Sequence, residues 1–252
     1  MRRMIVVAAW LAGVSSAWAD PPRSGYEDMT PQVQAMQDDD ALNPAMLWVA
    51  EGESLWNAPA GTSAKSCAAC HGDAAVSMKG VAARYPAFDD ATGRPLDLRQ
   101  RIRQCRVRHQ QAAPLPEGSE DLLSLETYVA RQSRGLPIAP PSDARLAPYR
   151  ERGARWFRQR MGQLDLSCAQ CHDDRAGQRL GGSTIPQAHP TGYPIYRLEW
   201  QGMGSLERRI RGCMTGVRAE PFAADSTELV ELELYLAQRA AGLKVDAPAV
   251  RP

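Results

Sequence analysis

Leucines recur at helical spacing in two distant segments of the chain. The first is LLSLETYVARQSRGL at 122–136, and the second is LVELELYLAQRAAGL at 229–243. Apolar residues repeated every three or four positions predict an amphipathic helix, and the Gly-Leu that ends each segment is a plausible helix stop. The chain is therefore predicted to contain two similar helices, one at the end of each half.

The similarity between the halves extends upstream of these helices. LRQRIRQC at 98–105 aligns without a gap on LERRIRGC at 206–213. Further upstream, EGESLW around Gly52 and RGARWF around Gly153 each predict the start of an amphipathic helix. Repetition of the same order of segments indicates an internal duplication.

The duplication predicts two domains, at 46–136 and 149–252, with the reactive site in the second. The proline-rich segment PIAPPSDARLAP at 137–148 predicts a linker between them. Residues 20–45, which include the acidic run Asp38 to Asp40, predict an irregular and solvated N-terminal extension.

Residues 1–19 predict a secretory signal peptide. Arg2 and Arg3 precede an apolar stretch at 4–14 that is too short to span a bilayer, and the small residues that follow predict cleavage after Ala19. An uncleaved anchor is the alternative. We therefore expect an exported, periplasmic protein without membrane insertion. Loss of the two arginines changes the formal net charge from +1 to −1, which lacks the basic excess of nucleic-acid-binding proteins.

Two cysteine motifs indicate a cofactor. The sequences CAACH and CAQCH, at 67–71 and 168–172, each place two cysteines before a histidine in the pattern that attaches c-type haem. Thiols one helical turn apart can bond the two vinyl groups of one porphyrin, and the adjoining histidine can bind the iron. A redox dithiol or a zinc site is the alternative for a single motif. Two haem c groups are predicted, attached at Cys67 and Cys70 and at Cys168 and Cys171, with His71 and His172 as axial ligands.

The order of elements in each half resembles the class I cytochrome c fold. In that fold the first and last helices pack together and the haem fills the space between them. The resemblance implies a mainly α protein of two tandem class I cytochrome c-like domains related by duplication.

Each iron also needs a distal ligand, and the duplication suggests cysteine. Cys105 and Cys213 occupy equivalent positions in the gapless alignment, so we predict His/Cys ligation of both haems. A Cys105–Cys213 disulfide is the alternative in an oxidising compartment, although residues beside two separate haems would rarely come close enough. Other potential ligands are less favoured: Met78 lies only seven residues after His71, and His109 has no counterpart in the second half. The second half also offers Met203, Met214 and His189.

Arginines flank both of these cysteines. Near Cys213 they include Arg209 and Arg218. Nearby positive charge favours the thiolate over the thiol. A guanidinium group also offers a fork of donors suited to oxyanions, although haem propionates are the alternative partners.

The segment RRIRGCMTGVRAEPF at 208–222, with CAQCH upstream, resembles the SoxA family, the catalytic subunits of SoxAX cytochromes of bacterial thiosulfate oxidation. The resemblance covers both haem motifs, both distal cysteines and the final helix. It implies that Cys213 is the catalytic cysteine, found as a persulfide, and that Arg209 binds thiosulfate, with Arg218 in the same pocket. It further implies transfer of thiosulfate to a cysteine of SoxY, within SoxYZ. Two electrons would pass through haem to a monohaem SoxX partner and then to a soluble cytochrome c.

The first half lacks part of this pattern. Arg101 occupies the place of Arg209, but Gln110 aligns with Arg218 and AAPL replaces AEPF. This predicts that the second haem is reactive and that the first is structural or a relic. Two other functions stay open: a thiosulfate dehydrogenase that forms tetrathionate without a carrier, and a dihaem electron carrier without a substrate.

Overall fold

A computed structural model describes residues 21–252. The predicted signal peptide therefore lies outside the described residues. Within 21–252, no helix has the length and apolar character needed to cross a membrane.

The described part of the chain is mainly helical, as predicted. The α-helices are α1 Pro31–Asp38, α2 Met46–Asn57, α3 Cys67–His71, α4 Ala74–Ser77, α5 Leu98–Cys105, α6 Glu120–Arg131, α7 Ala147–Arg158, α8 Cys168–His172, α9 Leu206–Gly216 and α10 Thr227–Arg239. Short 3₁₀ turns lie at Ala82–Arg84 and Ala144–Leu146, and a π-helix at Arg106–Gln110 continues α5. The strands are β1 Ala87–Asp89, β2 Arg94–Leu96, β3 Arg179–Leu180, β4 Ser183–Thr184, β5 Ile195–Arg197, β6 Gly202–Gly204 and β7 Ala249–Arg251.

Each half is built around one pair of crossing helices. In the first half α2 crosses α6 at Gly52, where an added Cβ would lie 2.1 Å from the Ser124 carbonyl oxygen. In the second half α7 crosses α10 at Gly153, and a Cβ there would lie 2.0 Å from the Glu231 carbonyl oxygen. Both crossings require glycine because the backbones are in contact. The two glycines singled out by the repeat are therefore packing residues.

Small sheets follow the same repeat. β1 pairs antiparallel with β2, and β5 pairs antiparallel with β6 in the equivalent register. The second half adds β7, which pairs in parallel with β5.

The N-terminal extension is packed against the protein, so the expectation of a solvated arm is wrong. Gln37 on α1 is buried; its side chain accepts a hydrogen bond from the Val250 amide, and its carbonyl accepts one from Arg134. Asn43 donates to the Pro248 carbonyl at 3.1 Å. The extension therefore connects the segment that follows α6 in the first half with β7 of the second.

The proline-rich segment between the halves is also held in place. The Ile138 amide donates to the Leu243 carbonyl, and Gly242 donates back to Ile138, both at 2.8 Å. Because Leu146 is fully buried as well, this segment packs as part of the interface between the halves.

Buried charge lies at the centre of that interface. Arg99 on α5 is only 2% exposed, and its guanidinium reaches Glu207 on α9 at 3.1 Å and Glu233 on α10 at 3.4 Å. Asp97 and Glu117 contact the same guanidinium from the first half. An unpaired buried guanidinium would be strongly destabilising, so these contacts fix how the halves meet.

Candidate functional site

Both CxxCH motifs form a single helical turn. The Ser66 side chain accepts a hydrogen bond from the Ala69 amide and caps α3. Ser167 and Gln170 form a reciprocal capping box at the start of α8. Each motif therefore begins at a fixed point, and its two thiols lie one turn apart.

His172 has the geometry of a metal ligand. Its Nδ1 lies 2.7 Å from the Pro186 carbonyl oxygen, which can only accept, so Nδ1 carries the proton and Nε2 is left with a free lone pair. Burial lowers the pKa of His172, which favours the neutral imidazole. His71 is more exposed, and its ring lies 5.7 Å from that of Trp56, whose Nε1 donates to the Gly72 carbonyl.

The cysteines at 105 and 213 each face the motif of their own half. Burial, with a smaller contribution from the neighbouring Cys213, raises the pKa of Cys168 to about 11. Burial likewise raises the pKa of Cys105, with a contribution from Cys70. All six cysteines are free thiols, so the structure does not form the alternative Cys105–Cys213 disulfide.

The other potential ligands have structural surroundings of their own. Met203 and Met214 are buried, and Met78 packs against the hydrophobic core of the first half. His189 makes a hydrogen bond through Nδ1 with the Arg23 carbonyl, and His109 is exposed on the π-helix. Two thiols, a neutral imidazole and a facing thiol in one place form a donor set that fits a c-type haem in the second half.

The two equivalent arginines have different surroundings. Arg101 forms an ion pair with Asp89 at 2.9 Å and donates to the Tyr85 hydroxyl at 3.3 Å. The Arg209 guanidinium has no hydrogen bond or ion pair with any residue in 21–252. At this position of the repeat, the second half therefore presents a guanidinium free to bind an anion, whereas the first half holds its arginine in an ion pair.

Arg218 lies in the left-handed region, with φ of 58°. The residue in the equivalent turn of the first half is Gln111, with φ of 52°, so the alignment of Gln110 with Arg218 is wrong. The carbonyls of Gln111 and Arg218 accept the equivalent amide hydrogen bonds from Thr62 and Gln163.

The cause of this shift is the π-helix that follows Cys105. Its wider turn takes up one extra residue, because each amide bonds the carbonyl five positions back. The sequence held a sign of it, since Cys105 precedes Leu122 by one residue more than Cys213 precedes Leu229.

A groove of about 450 Å³ lies beside Cys213 in the second half. Its lining includes Arg218, Met214, Glu220, Trp156 and Phe222. Arg218 is exposed, so the groove gives solutes access to the neighbourhood of Cys213.

The sequence reasoning missed a pair of tyrosines. Tyr85 and Tyr193 each precede a cis proline at equivalent positions, and both line a cavity of about 90 Å³ between the halves. Burial raises the pKa of Tyr193 to about 12, Arg209 lowers it and Cys213 raises it. The repeated Tyr-Pro in the sequence was the available signal.

Known proteins resemble the chain in both sequence and structure. A family model described as SoxA/TsdA, cytochrome c domain, matches residues 51–138 and 152–245. The L-cysteine S-thiosulfotransferase subunit SoxA of Pseudaminobacter salicylatoxidans is 39% identical over 92% of this chain and 82% of that protein. Its namesake from Rhodovulum sulfidophilum is 36% identical over 92% of this chain and 81% of that protein.

The crystal structure of SoxXA from P. pantotrophus contains a chain with a similar fold. That chain is 34% identical, the match covers 92% of this chain and 87% of that one, and the TM-score is 0.88. These findings confirm the two tandem cytochrome c-like domains. The chain therefore belongs to the SoxA family of L-cysteine S-thiosulfotransferase subunits, which are built from cytochrome c domains that carry haem c.

Proposed function

We propose that the chain is the dihaem catalytic subunit of a periplasmic enzyme that joins thiosulfate oxidatively to a cysteine of a SoxY-like carrier. Its relatives are named L-cysteine S-thiosulfotransferase subunits. The observation that carries the proposal is the unpaired Arg209 on the same helix as Cys213, where the first half holds Arg101 in an ion pair. At this position of the repeat, an anionic substrate thus has an available guanidinium in the second domain, at 149–252, and a neutralised one in the first.

Two haems are part of the proposal. Their thioether positions are Cys67 and Cys70 in the first domain and Cys168 and Cys171 in the second. The axial ligands are His71 with Cys105 and His172 with Cys213. When bound, haem accepts single electrons, and a thiolate ligand favours its ferric state and a low potential.

Cys213 acts as the nucleophile and the transient sulfur carrier, resting as a thiolate or persulfide. Its sulfur forms an S–S bond with the outer sulfur of thiosulfate, and this oxidation releases two electrons to the electron acceptor. The carrier thiolate then attacks that same sulfur, the S–S bond to Cys213 breaks, and the Cys213 sulfur leaves with its electron pair. The net change is one new S–S bond between carrier and thiosulfate and the release of two electrons. Arg209 and Arg218 hold the sulfonate end during both steps.

The expected partners follow from the relatives. Because the chain resembles a subunit of a SoxXA complex, we expect a heterodimer with a SoxX-like monohaem subunit. That subunit would receive the electrons and pass them to a soluble cytochrome c. Export with cleavage after Ala19 would place the protein in the periplasm, where haem c is attached.

The test compares equivalent cysteines in the two halves. We expect holoprotein carrying Cys213→Ser, assayed with its partner subunit and a SoxYZ carrier, to transfer no thiosulfate, as measured by the mass of the carrier's cysteine peptide. Cys105→Ser is the matched control and should retain transfer. Both variants should keep two covalent haems. Transfer at the wild-type rate by Cys213→Ser would refute the assignment.

The family description also names TsdA, which keeps a second activity under test. A thiosulfate dehydrogenase would join two thiosulfate ions into tetrathionate without any carrier. Formation of tetrathionate by the wild-type protein at the same rate with and without SoxYZ would favour this second function.

A further inference from the structure

The duplication extends further upstream than the short helices α5 and α9. Residues 85–105 align on 193–213 without a gap, and both stretches run from Tyr-Pro through a strand pair to the distal cysteine. The strand registers are equivalent, with Asp89 opposite Arg94 and Arg197 opposite Gly202. Any position in this stretch can therefore be compared directly between the two halves.

In the first half this framework neutralises Arg101. The buried Asp89 carboxylate contacts Arg101 at 2.9 Å and also accepts hydrogen bonds from Gln104 and Thr92. Burial acts to raise the pKa of Asp89, but these three donors hold it well below its usual range. Asp89 is thus a permanent anion bound to Arg101.

The second half replaces both partners of that arginine. Arg197 stands where Asp89 does, and Gly212 stands where Gln104 does. The position that carries a negative charge in the first half, at Asp89, therefore carries a positive charge in the second half, at Arg197. The framework that brings Asp89 to Arg101 therefore directs a second guanidinium towards Arg209.

Arg197 is available to an added anion. Its side chain is only 12% exposed, and its Nε is buried with no hydrogen-bond partner in the described chain. Its ion pair is with Glu199 at 2.9 Å, and that carboxylate is 58% exposed and solvated. Trp200 packs beside the guanidinium, at 5.3 Å from its ring centroid.

The neighbouring phenol of Tyr193 lies within electrostatic range of these groups. Burial raises the pKa of Tyr193, and among its charged neighbours Arg209, Arg197 and Arg251 lower it while Cys213 raises it. The charges of these arginines and of the reactive cysteine therefore act on the same ring. Two cations near each other repel, and a bound dianion would relieve that repulsion.

We propose that Arg197 is a second anion-binding residue of the active site, and that it holds the sulfonate of thiosulfate together with Arg209. The inference deepens the proposed function, on which it rests, by defining how the substrate anion is recognised. Arg197 is a binding residue, and the bond-making sulfur remains that of Cys213.

The experiment measures thiosulfate binding to the holoprotein by calorimetry and, separately, steady-state transfer to SoxYZ. Arg197→Gln should weaken binding and raise KM by about tenfold, the loss expected for one charge-assisted hydrogen bond, with kcat changed less than about twofold. Arg197→Asp, which introduces the residue found at the equivalent position 89, should weaken binding further because Arg209 would then form an ion pair, as Arg101 does with Asp89. Haem absorption and the melting temperature check that each variant is folded.

Arg208→Gln is the matched control. Arg208 neighbours Arg209 on α9 and lies over the same Trp200 ring, at 4.0 Å, but it is exposed. Its variant should bind thiosulfate within about twofold of the wild type, since solvent screens exposed charges. Equal losses in Arg208→Gln and Arg197→Gln would overturn the inference, as would unchanged binding in Arg197→Asp.

The two measurements separate the two proposals. If the wild-type protein binds thiosulfate in an Arg197-dependent way but transfers nothing to the carrier, the anion site stands and the proposed function fails. If transfer proceeds and Arg197 variants leave KM unchanged, the proposed function stands and the role of Arg197 is refuted.

Discussion

Glu126 is a buried carboxyl group at the interface, where burial favours its protonated form. It lies on α6 and lines the cavity between the halves together with Glu233, and its Oε2 is buried without a hydrogen-bond partner. Burial raises the pKa of Glu126 to about 8, Arg99 lowers it, and Asp97, Glu117 and Glu207 raise it. A single arginine cannot neutralise so many carboxylates, so protonation of Glu126 costs less free energy than its ionisation.

The effect on stability has a definite sign. A raised pKa means that the folded state binds the proton more tightly than the unfolded chain, so this contribution is complete below pH 4.5. It is lost as the pH rises towards 8. At about 1.4 kcal/mol per pH unit, the shift sets a ceiling of about 5 kcal/mol. Relaxation and water entry reduce such penalties, and we expect about 2–3 kcal/mol.

Glu126→Gln replaces the group by a neutral one of the same shape. We expect the variant to unfold with nearly the wild-type free energy at pH 5 and to be more stable at pH 9, by that margin. The assay is denaturant unfolding of the holoprotein followed by circular dichroism at both pH values. Glu120→Gln makes the same change at an exposed position of α6 and should leave the pH dependence unaltered.

Two results would refute this reasoning. One is an equal loss of stability between pH 5 and pH 9 in the wild type and in Glu126→Gln. The other is destabilisation of Glu126→Gln at pH 9, which would show that the ionised carboxylate makes a favourable contact. Glu117, whose pKa burial raises to about 7, and Glu233, whose pKa burial raises well above its usual value, would then be the remaining sources of pH dependence at this interface.

Three further predictions concern packing, buried charge and substrate. Gly153→Ala should lower the free energy of unfolding by about 3 kcal/mol, because its Cβ would overlap the Glu231 carbonyl. A change below about 0.5 kcal/mol in denaturant unfolding would contradict the close contact of α7 with α10 at this residue. Arg99→Gln should cost about 3–5 kcal/mol near neutral pH, measured in the same way, because it leaves buried carboxylates uncompensated; a small loss would mean that these carboxyls are already neutral. Arg209→Ala should raise KM for thiosulfate by about tenfold in the transfer assay without altering haem absorption, and an unchanged KM would exclude it from substrate binding.

Local patterns in the sequence predicted the helices that build each half. The repeated leucines correspond to α6 and α10, and the glycine-containing segments to α2 and α7. Such elements are predictable because helical periodicity and capping depend on neighbours in the chain. The cysteine motifs were predictable for the same reason, since CxxCH is a local pattern. Their roles as ligands stay predictions.

Contacts between distant segments were not predictable in this way. The sequence of the N-terminal extension is polar, which is typical of a solvated arm. Gln37 is nevertheless buried, and it accepts hydrogen bonds from the Val250 amide and from the Arg134 guanidinium. The π-helix after Cys105 shifted the alignment by one residue for a related reason. A short stretch of sequence does not show whether the amides of the next turn donate to carbonyls four or five residues back.

The interface between the halves shows how a duplicated chain can become asymmetric. Glu126 and Glu233 are equivalent in the repeat and line the same cavity, so identical residues from the two halves would meet as like charges. Arg99 and Glu207 are also equivalent, but there the repeat has diverged into a pair of opposite charge at 3.1 Å. The same kind of change separates the two cysteine sites, because Asp89 neutralises Arg101 whereas the equivalent of Asp89 in the second half is the positively charged Arg197. Divergence at a few positions of the repeat is therefore sufficient to leave the arginine of one half in an ion pair and the arginine of the other half without one.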